Sequence, residues 1–219
     1  MVDWAELVTR AAARYEDGAA RLSKTPDERQ RQLTRMGNAA WAAGLSLLML
    51  GRKDEAATWL VRAAERYRES WPDAPPESWG RPIGAMKSRL IAGDVEDARE
   101  DALWALEDGA AESESPIGRY AAALAHLVLG EDAESGVLAE TLQGRDDFPQ
   151  SVAATVVALS AGDASGYEEA IRALLADFEG REVFLEAIPV ADTVLALQKL
   201  APSRGIDVLL SSSLLPRGC

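Results

Sequence analysis

The chain has 219 residues, with 36 acidic and 23 basic side chains, and its formal net charge is −13. A chain of this length can bury one hydrophobic core, and the net negative charge argues against a nucleic-acid partner, because affinity for phosphates depends on Lys and Arg. One His and one Cys exclude a zinc site built from His and Cys alone and a disulfide within the chain. The composition therefore predicts a folded protein with no metal and no cofactor.

The first residues indicate where the protein resides. Residues 1–6 carry acids where a signal peptide needs basic residues followed by an apolar run. The most apolar stretch, Trp41–Leu50, is about half as long as a membrane span. A cytoplasmic protein with no membrane partner is expected. Cys219 is the last residue and could form a disulfide only with another chain.

The residue types along the chain predict an all-α fold. Ala occurs 40 times, and alternating runs of β-branched residues are nearly absent. Capping residues and prolines mark where helices should begin. The predicted starts are Asp3, Thr25–Pro26, Ser115–Pro116, Pro149 and Pro189.

One pattern recurs four times, in which an apolar helix ends at a glycine and an acidic helix start follows. The glycines are Gly51, Gly93, Gly130 and Gly162, at intervals of 42, 37 and 32 residues. Glycine ends a helix readily because it adopts the left-handed conformation without steric cost. Four copies predict four antiparallel helical hairpins.

Small and large residues recur at regular intervals across the first of these hairpins. The positions are Gly44, Leu47, Gly51, Ala56, Leu60 and Ala63. This spacing resembles that of the tetratricopeptide-repeat family, and the likeness extends, with degenerate copies, over residues 35–178. It implies a short α-solenoid with a concave protein-binding face. We expect a single domain over residues 1–219, made of an N-terminal helix (1–24), helical hairpins (25–180) and a capping segment of helices and tail (181–219).

Binding residues are predicted around the proline-rich segment 71–82, which is longer than a hairpin turn requires. Trp, Tyr and Arg are enriched at binding hot spots, and loops on rigid scaffolds often carry function. Candidate partner-binding residues are Trp59, Arg66, Tyr67, Trp71, Trp79, Arg81, Arg119, Tyr120 and His126. In an equally weighted alternative, Trp71 and Trp79 fold back over the hydrophobic end of the stack and Arg81 forms a salt bridge.

No catalytic residue is predicted. The common nucleotide-binding, metalloprotease and calcium-loop motifs are absent from the sequence, and the only imidazole, His126, lies in an apolar helix. Adjacent acids such as Glu168–Glu169 do not face one another on a helix and are expected to be solvated. A small-ligand binder or enzyme using His126 with Arg119 and Tyr120 remains a third hypothesis.

Two further functional hypotheses rank above it. The first is a non-catalytic cytoplasmic scaffold or adaptor that binds a protein or peptide. The second is an acidic inhibitor of the immunity or antitoxin kind, because residues 1–89 carry a net charge of +3 (15 basic, 12 acidic) and residues 90–219 one of −16 (8 basic, 24 acidic). The apolar tail is expected to cap the stack or to form a homodimer, and an exposed patch of Leu209, Leu210, Leu214 and Leu215 would favour the dimer.

Overall fold

The computed structural model describes residues 2–217, which form ten α-helices, two 3₁₀ turns and no β-strand. The predicted all-α fold is confirmed. Cys219 lies outside the described residues. The helices are α1 (Trp4–Ala20), α2 (Pro26–Met49), α3 (Lys53–Glu69), α4 (Gly80–Ala92), α5 (Val95–Glu107), α6 (Pro116–Leu129), α7 (Asp132–Glu140), α8 (Gln150–Ser160), α9 (Ala164–Glu179) and α10 (Asp192–Leu200), and the 3₁₀ turns are Leu185–Ala187 and Pro202–Arg204.

Helix ends follow local sequence signals closely. Each of the four repeated glycines has a positive φ, between 65° and 84°, as a left-handed helix end requires. Asp3 accepts a hydrogen bond from the Glu6 amide, and Ser115 accepts one from the Gly118 amide. Thr25 precedes Pro26 as predicted, but its hydroxyl does not cap the helix.

Consecutive helices from α1 to α9 pack against one another, so that α2–α3, α4–α5, α6–α7 and α8–α9 form hairpins. The first helices of the last three hairpins, α4, α6 and α8, also contact one another in turn. Close approach depends on small residues. A Cβ atom added to Gly44 would lie 2.6 Å from Cγ of Leu60, which explains why these two types stand at these positions in the repeat spacing.

The C-terminal segment, residues 181–217, turns back over earlier helices. Its helix α10 packs on α4 and also touches α9. Three ion pairs join the segment to α1, α4 and α7. They are Arg14–Glu186, Lys87–Asp192 and Arg204–Asp132.

The predicted helix start at Pro189 is wrong, because α10 begins three residues later at Asp192. Pro189 instead lies in an irregular stretch that follows two left-handed residues, Glu186 and Ala187. The apolar tail is largely buried: Leu210 and Leu215 are 9% and 5% exposed, whereas Leu209 is 77% exposed. The four leucines thus do not form a continuous exposed patch, and this burial favours the capping role. Among residues 2–217, no helix combines the length and the apolar character that a bilayer crossing requires.

Candidate functional site

The loop between α3 and α4, residues 70–79, contributes residues to two open cavities, and we call it the Trp loop. The first is a cavity of about 700 Å³, here the loop cavity, lined by Trp71, Pro72, Ala74, Pro75, Pro76, Glu77, Trp79 and Asp108. The second is a cavity of about 390 Å³, here the helix cavity. It is lined by Thr34, Asn38, Trp41, Tyr67, Ser78, Gly80, Arg81, Ile83, Gly84, Lys87, Leu185 and Asp192.

Aromatic packing holds the Trp loop against α5. The ring centroid of Trp71 lies 5.3 Å from that of Trp79 and 5.5 Å from that of Trp104, edge to face in the second case. The Arg68 guanidinium carbon lies 5.4 Å from the Trp104 ring centroid. Trp79 is only 5% exposed, while Trp71 is half-buried and presents its remaining surface to the loop cavity. The alternative in which Trp79 folds back over the hydrophobic core therefore describes this residue better than an exposed contact does.

Glu77 ties the Trp loop to the loop that precedes α6. Its carboxylate accepts hydrogen bonds from Ser115 Oγ at 2.6 Å, Ser113 Oγ at 2.9 Å and Trp79 Nε1 at 2.8 Å. These hydrogen bonds, that from Ser115 foremost, hold the pKa of the Glu77 carboxyl below its usual value. Glu77 makes these bonds from a left-handed backbone conformation, with φ of 60°.

The ring of Tyr67 packs between α2 and α4. Its ring is so close to two glycines that a Cβ added to Gly37 or Gly84 would lie 2.8 or 2.9 Å from it. Its hydroxyl donates to Asn38 Oδ1 at 2.9 Å, and burial raises the pKa of the Tyr67 hydroxyl. Tyr67 is 5% exposed. Most of its surface is used in packing, and the part that remains lines the helix cavity, so its predicted contact with a partner stays a prediction.

Arg81 is likewise a supporting residue. Its guanidinium donates to the Ser70 carbonyl at 2.6 Å and to Gln30 Oε1, and its side chain is buried. The predicted salt bridge is not present among the described residues, since both acceptors are neutral. The arginine closes the base of the Trp loop by joining it to α2. Trp79 and Arg81, predicted as contact residues, are thus largely buried supports of this loop, and each also lines one of the two cavities.

Backbone strain is concentrated beside the helix cavity. Within residues 2–217, the non-glycine residues with positive φ are Glu77, Glu186 and Ala187. They flank Ser78 and Leu185, which both line that cavity. Residues in such conformations persist where surrounding contacts impose them, and they cluster at binding and catalytic sites.

The remaining predicted residues on α3 lie apart from both cavities. Trp59 is half-buried, packs edge to face on Tyr15 with 5.4 Å between ring centroids, and lies under the Arg62 guanidinium. Arg66 forms an ion pair with Glu69. The Trp59–Tyr15 contact joins α3 to α1, and the Arg66–Glu69 ion pair lies within the last turn of α3. They give neither residue a position beside the Trp loop.

Arg119, Tyr120 and His126 are not brought together. Arg119 Nε donates to the Ser113 carbonyl at the start of α6, whereas His126 Nδ1 lies 2.7 Å from Glu131 Oε2 beyond its other end. Tyr120, also predicted as a contact residue, is 7% exposed and packs on Phe148, which leaves little of its surface for a partner. The half-buried His126 borders an apolar surface hollow. The third hypothesis thus lacks the constellation on which it depended.

Asp101 is a buried acid that the sequence reasoning missed. It is 2% exposed and accepts a hydrogen bond from Arg68 Nη1 at 3.0 Å, while Arg89 lies on its other side. Burial raises the pKa of Asp101 to about 6, against the opposing effect of the two arginines. A signal was present, because Asp101 shares the apolar face of α5 with Ala98 and Ala105.

The described residues offer the chemistry of noncovalent recognition. Tryptophan and proline side chains line the loop cavity together with two acids, Glu77 and Asp108. The helix cavity is lined mostly by apolar and aromatic surface, with hydroxyl and amide groups and the ion pair of Lys87 with Asp192. No group of three or more His, Cys, Asp and Glu residues in the described part of the chain is arranged to hold a metal ion. No protein-family model, curated protein or solved structure matches the chain.

Proposed function

We propose that this protein is a non-catalytic cytoplasmic interaction module, a degenerate tetratricopeptide-like scaffold, which binds a protein or peptide at the Trp loop. The observation that carries the proposal is the Trp loop itself, which has a left-handed residue, Glu77, and lines two open cavities. A loop that is ordered before binding loses less conformational entropy when the partner arrives. The hydrogen bonds of Glu77 and Arg81 supply that order.

The two cavities suit different parts of a partner. In the loop cavity, half-buried Trp71 is an aromatic anchor beside the exposed rings of Pro72, Pro75 and Pro76. In the helix cavity, Asn38 accepts from Tyr67 through Oδ1, which leaves its amide NH₂ to donate to a partner carbonyl. A peptide with an apolar side chain near an exposed backbone carbonyl fits both features.

Site-specific photo-crosslinking tests the proposal. A photoreactive residue at Ala74, which lines the loop cavity, should capture a discrete partner from lysate of the native host. The same residue at the exposed Asp177 on α9 should not. Capture at position 74 should fall when Trp71→Ala is added, with circular dichroism showing that the fold is retained. Equal capture from both positions, or capture insensitive to Trp71→Ala, would refute the Trp loop as the binding surface.

An acidic inhibitor is the second candidate, supported by the exposed acids of the second helices of the hairpins. Glu96, Glu134 and Glu169 lie on α5, α7 and α9, are exposed, and form no ion pair with a basic side chain of residues 2–217. Such a surface is complementary to a basic enzyme. Binding of this kind would weaken steeply with added salt and would survive Trp71→Ala, which separates it from binding at the Trp loop.

A further inference from the structure

A third cavity, of about 310 Å³, is lined by the C-terminal segment itself, with Lys53 of α3 the one lining residue from elsewhere. Its walls are apolar side chains of α10 and of the extended tail that follows. They are Val194, Leu195, Ile206, Val208, Leu210 and Leu215. The volume is at the lower end of the range for small-molecule sites, and an apolar lining with few polar groups is typical of them.

Lysines stand at the edge of this cavity. The chain has four lysines, and two of them, Lys53 and Lys199, line it. Both are exposed, and neither forms an ion pair with a carboxylate of residues 2–217, whereas Lys87 is paired with Asp192. Residues 90–219 carry a net charge of −16, and Lys199 is one of only eight basic side chains among them, whereas Lys53 comes from the other part of the chain.

The other polar groups of the cavity do not oppose the binding of an anion by the lysines. Gln198 is satisfied within the protein, because its amide donates to the Val208 carbonyl at 2.7 Å and accepts from the Tyr167 hydroxyl at 3.0 Å. Asp207 is the one acid among the lining residues, and it is exposed to solvent. The cavity therefore combines an apolar interior with a net positive edge.

The tail that forms one wall has few backbone hydrogen bonds. Residues 206–210 alternate between buried and exposed side chains, and Leu209 is exposed at the edge of the cavity. The Ile206 amide donates to the Ala201 carbonyl, but the amides of residues 207–210 donate to no backbone carbonyl of the described chain. Side chains hold this stretch instead, because Gln198 donates to the Val208 carbonyl and Arg172 donates to the Leu209 carbonyl at 3.4 Å, so one wall of the cavity is held by a few polar contacts.

We propose that this cavity binds a single-chain anionic amphiphile, such as a medium-chain carboxylate. The hydrocarbon chain lies among the side chains of α10 and the tail, and the carboxylate lies between Lys53 and Lys199. Burial of apolar surface favours binding of the hydrocarbon chain, and the two lysines favour a head group of negative charge. This site is separate from the Trp loop and does not depend on the proposed function.

Isothermal titration calorimetry of the full-length protein with decanoate tests the site. Decyltrimethylammonium, which has a hydrocarbon chain of the same length and the opposite charge, is the control ligand. Decanoate should bind at one saturable site below its micellar concentration, about tenfold more tightly than the cation. Equal affinities would overturn the head-group assignment. The absence of saturable decanoate binding would overturn the site.

Variants locate the binding. Lys53→Gln combined with Lys199→Gln should weaken decanoate about tenfold, while Lys24→Gln, an exposed lysine elsewhere, should leave it unchanged. Both changes are on the surface, so the fold should persist. Val208→Phe, which fills the cavity, should abolish binding. Unchanged affinity in the double lysine variant, or in a folded Val208→Phe protein, would contradict the proposal.

Discussion

The Trp loop and the C-terminal segment are the two irregular regions that depart most from the helical hairpins, and they differ in the contacts that hold them and in how much surface they leave open. The Trp loop is held by aromatic packing on Trp104 of α5 and by hydrogen bonds to the serines before α6, and it lines two open cavities. The C-terminal segment is held by long-range ion pairs to α1, α4 and α7 and covers apolar surface.

Both regions contain left-handed non-glycine residues, Glu77 in the first and Glu186 and Ala187 in the second. Left-handed residues therefore occur both in the region that leaves cavities open and in the region that covers apolar surface. In both regions the left-handed residues stand next to a residue of the helix cavity, but the C-terminal segment also buries residues such as Leu197, whereas Trp71 in the Trp loop stays half-buried at an open cavity. We therefore expect changes in the segment to act on stability, and changes on the open side of the Trp loop to act on binding.

The largest effect is expected inside the Trp loop. Trp79→Ala should lower the free energy of unfolding by about 4 kcal/mol, because the indole is buried and its removal leaves a cavity. Urea denaturation measures this. Trp71→Ala should cost less, because that ring is half-buried. If the two variants lost equal stability, the division of the loop into a supporting and a contacting tryptophan would be wrong.

The C-terminal segment offers a matched pair of leucines. Leu197→Ala should destabilise the protein by about 3 kcal/mol, because Leu197 is fully buried against earlier helices. Leu209→Ala should change stability by less than about 0.5 kcal/mol, since that side chain is exposed. Thermal or urea unfolding distinguishes them. A small loss in Leu197→Ala would show that the segment is a loosely attached cover.

Asp101 lies behind the Trp loop and gives stability a pH dependence. Its pKa is raised to about 6, so the native state holds this proton more tightly than the unfolded chain. Stability from this group is present below the unfolded pKa of about 3.9 and is lost as pH rises to about 6. Relative to Asp101→Asn, the wild type should lose about 2 kcal/mol across that range, measured by urea denaturation at each pH.

Asp177→Asn serves as the control, because Asp177 is exposed on α9 and should follow the wild type at every pH. The opposite trend, with wild type gaining on Asp101→Asn as pH rises, would mean that attraction from Arg68 and Arg89 outweighs the burial of the carboxylate.

The smallest effect concerns the strained residue of the Trp loop. Glu77→Ala should lower the unfolding midpoint slightly, because it removes the hydrogen bonds to Ser115, Ser113 and Trp79 but keeps a Cβ at a left-handed position. Glu77→Gly should recover part of this loss by relieving the strain. Asp73→Ala, an exposed change in the same loop, should have no effect. An alanine variant at position 77 as stable as the glycine variant would argue against strain.

The candidate site was predicted only in part. Composition and spacing singled out segment 71–82, and Trp71 does line an open cavity there. Tyr67, Trp79 and Arg81 were chosen by residue type, which cannot distinguish a buried support from an exposed contact. Glu77 could not have been found, because its role depends on serines 36 and 38 positions away.

The sequence by itself determined the helices and their ends. Capping and glycine termination depend on residues within a few positions of each other, so Gly93 or Ser115 acts the same way wherever the helix is placed. Tertiary structure alone decided that the C-terminal segment returns to α4 and that Tyr67 fits between two glycines of different helices. Those outcomes depend on contacts between residues distant in sequence, where shape and burial, not local preference, determine the free energy.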